Sequence, residues 1–256
     1  MTPFETFKNL HQPGNPFVLG NAWDVTSARL LEKNGFKALA TSSLAVANTL
    51  GYEDGEQISF DELLFVVGRI KASTSLPLSV DLERGLASTH GRIVANIEKL
   101  IALGVVGINI EDSGGQKGKE SLDEIESFCD KIKAIKHHLA AKNLNIFINA
   151  RTDAFLLNLP QALEISMRRA NAYAQAGADG IFVPFVKEPN DIRKLTADSP
   201  APINVLSMTG LPSFDELAAC SVGRISLGST LFRASYRQVE SLIQKVNADK
   251  SVRPLF

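Results

Sequence analysis

The 256-residue sequence has only two cysteines, Cys129 and Cys220, and a single tryptophan. Two cysteines make neither a disulfide framework nor a zinc site, so both read as reduced core residues. Charge of one sign is also missing: 27 Lys+Arg face 28 Asp+Glu, a formal net charge of −1. With no basic excess and no long Lys/Arg block, nucleic acid is not an expected partner. No apolar run approaches the ~18–20 residues of a membrane span. The opening MTPFETFKNLHQPGNP has no apolar core of the kind a secretion signal needs. A cytoplasmic protein without a membrane partner is expected. No Pro/Gly/Ser-rich linker divides the chain, so 1–256 is read as one domain.

What is present is a rhythm. Short apolar runs at 17–19, 38–41, 78–81, 107–111, 146–151, 180–183, 203–206 and 224–227 alternate with amphipathic stretches. Runs such as VVGINI and INIFINA are nearly continuous, as strands buried on both faces should be. The stretches between them, FDELLFVVGRIKAS and GRIVANIEKLIALG among them, keep helical spacing. Ser59 and Ser121 stand where N-caps are wanted, and Gly35, Gly104 and Gly177 where helices should end. Eight strand–helix units of this kind predict an α/β fold, a single (β/α)8 TIM-type barrel, with 229–256 as a C-terminal helix and tail. An open doubly wound sheet is the rival.

Active sites of such barrels lie at the C-terminal strand ends, and polar residues collect there. The second strand ends in Thr41-Ser42-Ser43, the third in Asp81 and Glu83, the fourth in Glu111 and Asp112, the fifth in Arg151 and Asp153. Carboxylates converging from neighbouring strands repel one another unless a cation joins them. Oxygen-only donors favour Mg²⁺, with Mn²⁺ possible, over zinc. Mg²⁺ keeps several waters, so Asp81 is expected as a direct ligand with Glu83, Glu111 and Asp54 holding bound waters. Arg151 could clamp a substrate carboxylate with its planar fork. Blander readings stand beside these. Arg151 and Asp153 could form a structural salt bridge, and Asp112 could cap the next helix. GGQKGK could be a surface loop or a lid. LGST at 227–230 could cup a phosphate or simply pack the last turn. His90, after the third-strand acids, could be an acid/base or a surface loop residue, and His137 and His138 read as a solvated helix face.

The segments NAWDVTSARLLEKNGFKALATSSLAVANTLGYEDGE, SVDLERG, GINIEDS, INARTDAF and RANAYAQAGADGIFVP resemble the isocitrate lyase/phosphoenolpyruvate mutase superfamily, in order, from about Asn21 to Arg233. The resemblance implies an α/β barrel that binds Mg²⁺ and a small 2-oxo acid or its enol(ate), and that breaks or forms C–C or C–P bonds beside the carbonyl. By position it places Ser42, Ser43 and Leu44 on the substrate-carboxylate loop, with the Ser42 and Ser43 backbone N–H groups orienting the acid. It places Asp54, Asp81, Glu83 and Glu111 on the metal site and Arg151 on the substrate-binding arginine. It also implies a homo-oligomer, dimer or tetramer, through the helix after the last strand.

The sequence departs from the family pattern in its gating loop, EDSGGQKGKESLDE, which has no Cys or His where the isocitrate-type lyases carry a Cys acid/base. Lys117, Lys119 and Glu120 are the catalytic candidates it offers beside Arg151. Glu83 and Ala87 replace an Asp and a Gly of the third-strand motif, and Pro184 replaces a His that some mutases carry. The leading expectation is a Mg²⁺-dependent lyase or hydrolase of an oxaloacetate-like or phosphonopyruvate-like acid. A phosphonate-bond mutase and a non-catalytic 2-oxo-acid-binding member are the alternatives. A Schiff-base aldolase is disfavoured, because no predicted strand ends in Lys.

Overall fold

The computed structural model describes residues 1–115 and 120–256. Eight parallel strands close into a barrel: β1 (Phe17–Ala22), β2 (Leu39–Thr41), β3 (Leu78–Asp81), β4 (Gly107–Glu111), β5 (Phe147–Arg151), β6 (Gly180–Phe182), β7 (Ile203–Leu206) and β8 (Arg224–Ser226). All eight expected runs are strands, displaced by at most a few residues at their ends. Neighbours pair in sequence order, and β1 closes the ring on β8 with Phe17 opposite Arg224 and Leu19 opposite Ser226. This is the (β/α)8 barrel the rhythm predicts, and the open sheet is excluded.

Ten α-helices are found among the described residues: α1 (Pro3–Asn9), α2 (Val25–Lys33), α3 (Ser43–Thr49), α4 (Phe60–Lys71), α5 (His90–Ala102), α6 (Ile125–Ala141), α7 (Ala162–Ala176), α8 (Pro189–Asp198), α9 (Phe214–Ala219) and α10 (Thr230–Asp249). Local chemistry sets their ends. Ser59 caps α4 in a reciprocal box with Glu62, and Gly177 ends α7 with φ +110°, a left-handed conformation natural to glycine. Ser121 is not an N-cap. α6 starts four residues later behind Glu124, and Ser121–Leu122 instead pairs antiparallel with Ser113–Gly114. The serine that suggests a cap serves here as one leg of a short ladder.

The barrel interior differs from the continuous apolar strands expected. Asn109, Asn149, Asn204, Ser226 and Arg224 are all buried. The Arg224 guanidinium donates through Nε to Ser226 Oγ at 3.0 Å and through Nη2 to Asn109 Oδ1 at 3.3 Å. Asn149 Nδ2 donates to Asn109 Oδ1 at 2.9 Å. Buried polar groups are tolerated when they bond one another. α1 covers the N-terminal end of the barrel. Phe7, fully buried, packs edge-on against Phe17 and Phe147, and His11 stacks on Phe147 at 4.1 Å. Gly107 has no room for a side chain, since a Cβ there would lie 2.8 Å from the Phe7 ring.

Cys129 and Cys220 are buried and unbridged, as expected. Of the side chains of α10 only Phe232 is buried, while Tyr236, Val239 and Ile243 are exposed. No helix among the described residues is long and apolar enough to cross a membrane.

Candidate active site

The strand ends open onto a cavity of about 930 Å³. Leu44, Asp54, Glu83, Glu111, Glu120 and Arg151 line it, so six of the expected site residues share one wall system. Asp153, Glu56, Arg84 and Arg233 join them. Lys117 and Lys119 lie outside the described residues.

Asp81 adjoins this wall. Its backbone N–H donates to Thr41 Oγ1 at 2.9 Å, and its Oδ2 accepts the Ser43 backbone N–H at 3.2 Å. Its other oxygen, Oδ1, is buried and without a hydrogen-bond partner among the described residues. The Ser43 amide, expected to orient a substrate acid, is thus hydrogen-bonded to Asp81 in this structure. Ser42 is buried, and its hydroxyl caps α3 by accepting from Ala45 N–H. Of the expected substrate loop, Leu44 lines the cavity directly.

Glu83 reaches the cavity from an unusual backbone. It adopts φ +51°, and Glu56 and Leu86 beside it adopt +55° and +50°. Left-handed conformations are uncommon for such residues and cost energy unless the surroundings enforce them. The enforcement is a clasp of hydrogen bonds between loops. Glu56 N–H donates to Glu83 Oε2 at 2.7 Å, while Glu56 Oε1 accepts from Leu86 N–H at 2.7 Å and Arg84 N–H at 3.2 Å. An Asp would sit more easily in this conformation. The longer Glu is accommodated because Glu56 locks both loops.

Arg151 lies between two carboxylates: its Nη1 is 2.9 Å from Glu111 Oε2 and its Nε donates to Asp153 Oδ1 at 2.7 Å. The structural salt bridge weighed for Arg151 and Asp153 is thus present, and the same arginine also faces the cavity. Burial opposes its charge, but Glu111 and Asp153 outweigh burial and raise its pKa, so it stays a cation. Burial and the surrounding acids push the Glu111 carboxyl upward against the pull of Arg151. Partial desolvation, then the charge of Asp81, raises Asp54, although the residue as a whole is exposed.

Burial first, then the charges of Asp81 and Asp54, hold the Glu83 carboxyl at about 8. A carboxyl whose folded pKa lies above its unfolded value of ~4.3 binds its proton more tightly in the folded state. Its stabilising effect is complete below the unfolded value and is lost as pH rises through 8. In EDTA, the thermal midpoint should therefore fall between pH 5 and 8.5, and Glu83→Gln should flatten that slope. Equal slopes for both proteins in a melting series would contradict this assignment.

The four acids give a donor set of hard oxygens. Among the described residues no three His, Cys, Asp or Glu side chains are gathered as a ready-made metal cage. Hard oxygen donors of this kind would suit a hydrated divalent ion that takes one or two direct carboxylates. The buried Asp81 Oδ1, with no hydrogen-bond partner among the described residues, is an oxygen that such an ion would satisfy.

Several readings resolve differently. Asp112 caps no helix. It is fully buried and accepts from Arg169 Nη1 at 2.9 Å, Tyr173 OH at 2.6 Å and Asp153 N–H at 3.2 Å. The LGST turn is closed on its own neighbours, with Gly228 N–H donating to Asn21 Oδ1 and Thr230 Oγ1 to Ser207 O, which is the packing reading. Arg233, Glu56 and Arg84 were missed as cavity residues because nothing in their local sequence marks them. Arg233, for example, lies seven residues past the end of β8.

The family model described as Phosphoenolpyruvate phosphomutase matches residues 7–247. The chain is 32% identical to 2-methylisocitrate lyase of Shewanella oneidensis, covering 95% of this chain and 85% of that protein. It is 29% identical to phosphoenolpyruvate phosphomutase of Streptomyces hygroscopicus, covering 95% and 79%. The solved structure of phosphonopyruvate hydrolase with oxalate and Mg²⁺ superposes with a TM-score of 0.85 at 25% identity, over 99% of this chain and 89% of that one.

Proposed function

The chain belongs to the phosphoenolpyruvate mutase/isocitrate lyase superfamily, and from that premise we propose that it is a Mg²⁺-dependent lyase or hydrolase of a small 2-oxo acid. It cleaves a C–C or C–P bond beside the carbonyl of an oxaloacetate-like or phosphonopyruvate-like substrate. The observation that carries this reading is the meeting of Asp54, Glu83, Glu111 and Arg151 in one cavity, next to a buried Asp81 oxygen with no hydrogen-bond partner among the described residues.

Asp81 would hold the cation directly, with Glu83, Glu111 and Asp54 reaching it through water. When bound, Mg²⁺ supplies Lewis acidity toward the substrate's carbonyl oxygen. Arg151, fixed on two sides by Glu111 and Asp153, presents its remaining N–H groups to the substrate carboxylate without having to reorganise. The loop after β4 supplies the acid/base group: Glu120 lines the cavity, and Lys117 and Lys119 precede it in the chain. That loop has no Cys or His, so the proton must come from an amine or a carboxyl. Oligomer formation would cover the exposed apolar side chains of α10.

The names of the relatives favour a second reading, a phosphonate-bond mutase. One assay separates the two. Purified protein is given a panel of 2-oxo diacids and phosphonopyruvate, with Mg²⁺ and with EDTA, while pyruvate, inorganic phosphate and phosphoenolpyruvate are followed. Mg²⁺-dependent pyruvate release supports the lyase or hydrolase. Conversion of phosphonopyruvate to phosphoenolpyruvate makes the protein a mutase. No turnover of any member by folded protein would remove both.

A further inference from the structure

The cavity is strongly acidic for a site that takes an anion. Seven carboxylates and three arginines occur among its described lining residues. Two of these arginines are already neutralised. Arg151 is paired with Glu111 and Asp153, and Arg84 Nη2 lies 2.8 Å from Asp123 Oδ1. Arg233 is different. It is exposed, and among the described residues no carboxylate lies within ion-pair distance of it and its guanidinium makes no hydrogen bond.

Its position is nevertheless fixed. Arg233 stands in the first turn of α10, its N–H bonded to Ser229 O at 2.9 Å. The preceding residue, Phe232, is buried with its ring 5.3 Å from that of Trp23. Phe232 anchors the turn against the barrel, and the next residue projects into the cavity mouth.

We propose that Arg233 receives a second anionic group of the substrate, a carboxylate or phosphonate at the end remote from the 2-oxo acid, and so selects dianionic acids over monoanions. This rests on the 2-oxo-acid reading of the same cavity. The head of the ligand meets Arg151, whose charge is shared with two protein carboxylates. The tail meets a guanidinium whose charge is unspent and whose fork suits either oxyanion. A cavity of about 930 Å³ leaves room for that second group beyond the head. Arg233 acts on binding rather than on the reacting bond.

The test is calorimetry in Mg²⁺ with oxalate as a head-only probe, and with oxaloacetate and phosphonopyruvate as probes carrying each kind of tail. Wild type, Arg233→Met and Arg233→Lys are compared, with circular dichroism to confirm that each is folded. Arg233→Met should weaken the tailed acids about tenfold and leave oxalate within about twofold, with Arg233→Lys intermediate. For any acid that is turned over, KM should rise with kcat nearly unchanged, the signature of lost uniform binding. Unchanged affinity for both tailed acids, or an equal loss for oxalate, would overturn the inference. If only one tailed acid depends on Arg233, that acid's terminal group is the one selected. Arg233-dependent binding without turnover of any acid would leave the inference standing and remove the proposed activity instead.

Discussion

Arg151→Lys should lower kcat/KM on the acid identified by the panel about 10²–10³-fold while the barrel remains folded. The magnitude is that of removing one preorganised donor from a developing charge. The geometry explains why a retained positive charge is not enough. Arg151 uses Nε for Asp153 at 2.7 Å and Nη1 for Glu111 at 2.9 Å. A lysine ammonium is a compact point charge without the fixed fork, so it cannot hold both carboxylates and still face the ligand. One buried carboxylate loses its partner, and the substrate loses its clamp. Steady-state kinetics beside a thermal melt measures the effect. A loss smaller than tenfold in a folded variant would show that Arg151 serves the wall of the cavity and not its ligand.

The largest stability effect should come from a residue outside the cavity. Arg169→Leu should cost about 3–5 kcal/mol, because it leaves the buried Asp112 carboxylate without its cation. Asp112 is fully buried and Arg169 is 6% exposed. Arg169 Nη1 also donates to Tyr173 OH at 2.6 Å, and Nη2 to Asp123 O at 2.7 Å. Asp123 N–H in turn donates to Asp112 O at 2.6 Å. The cluster thus ties Asp112, which precedes the segment after β4, to Asp123, which follows it, and so holds both feet of that segment. At ~2–4 °C per kcal/mol for a chain of this size, the melting temperature should fall by roughly 6–20 °C. Urea unfolding of the two proteins decides it, and a loss below 1 kcal/mol would mean that the ion pair is dispensable. Tyr173→Phe removes one neutral donor and should cost far less.

These two arginines show what could be read from the residues and what could not. Arg151 was legible because it ends a strand, and strand ends face a common mouth in a barrel. Asp81, Glu83 and Glu111 were legible for the same reason. Arg169 lies within a helix, 57 residues from its partner Asp112, and only the packing of α7 against the barrel brings the two together. Asp112 could therefore be taken for a helix cap. The strand INIFINA reads as apolar on both faces, yet Asn149 is drawn inward to bond Asn109, and Arg224 fills the space beside them. Hydropathy averages such a residue away. Ser121 misled for a local reason: a cap and a hairpin leg share the same residue types, and only the partner strand distinguishes them. Arg233 could not be read because the helix start alone does not orient it; the packing of Phe232 on Trp23 does.

The closure of β1 on β8 has a consequence for how the molecule is made. Phe17 and Arg224 are direct neighbours in the ring but lie 207 residues apart in the chain. At ~5–20 residues per second, a ribosome takes about 10–40 s to deliver the last strand after the first. Throughout that interval β1 has one unpaired edge, and the buried floor around Phe7 and Phe17 has no Arg224 or Gly223 to close it. An open strand edge of this kind is a template for pairing with other chains. The barrel therefore cannot close on its first strand before residues 224–226 have been made and have reached it.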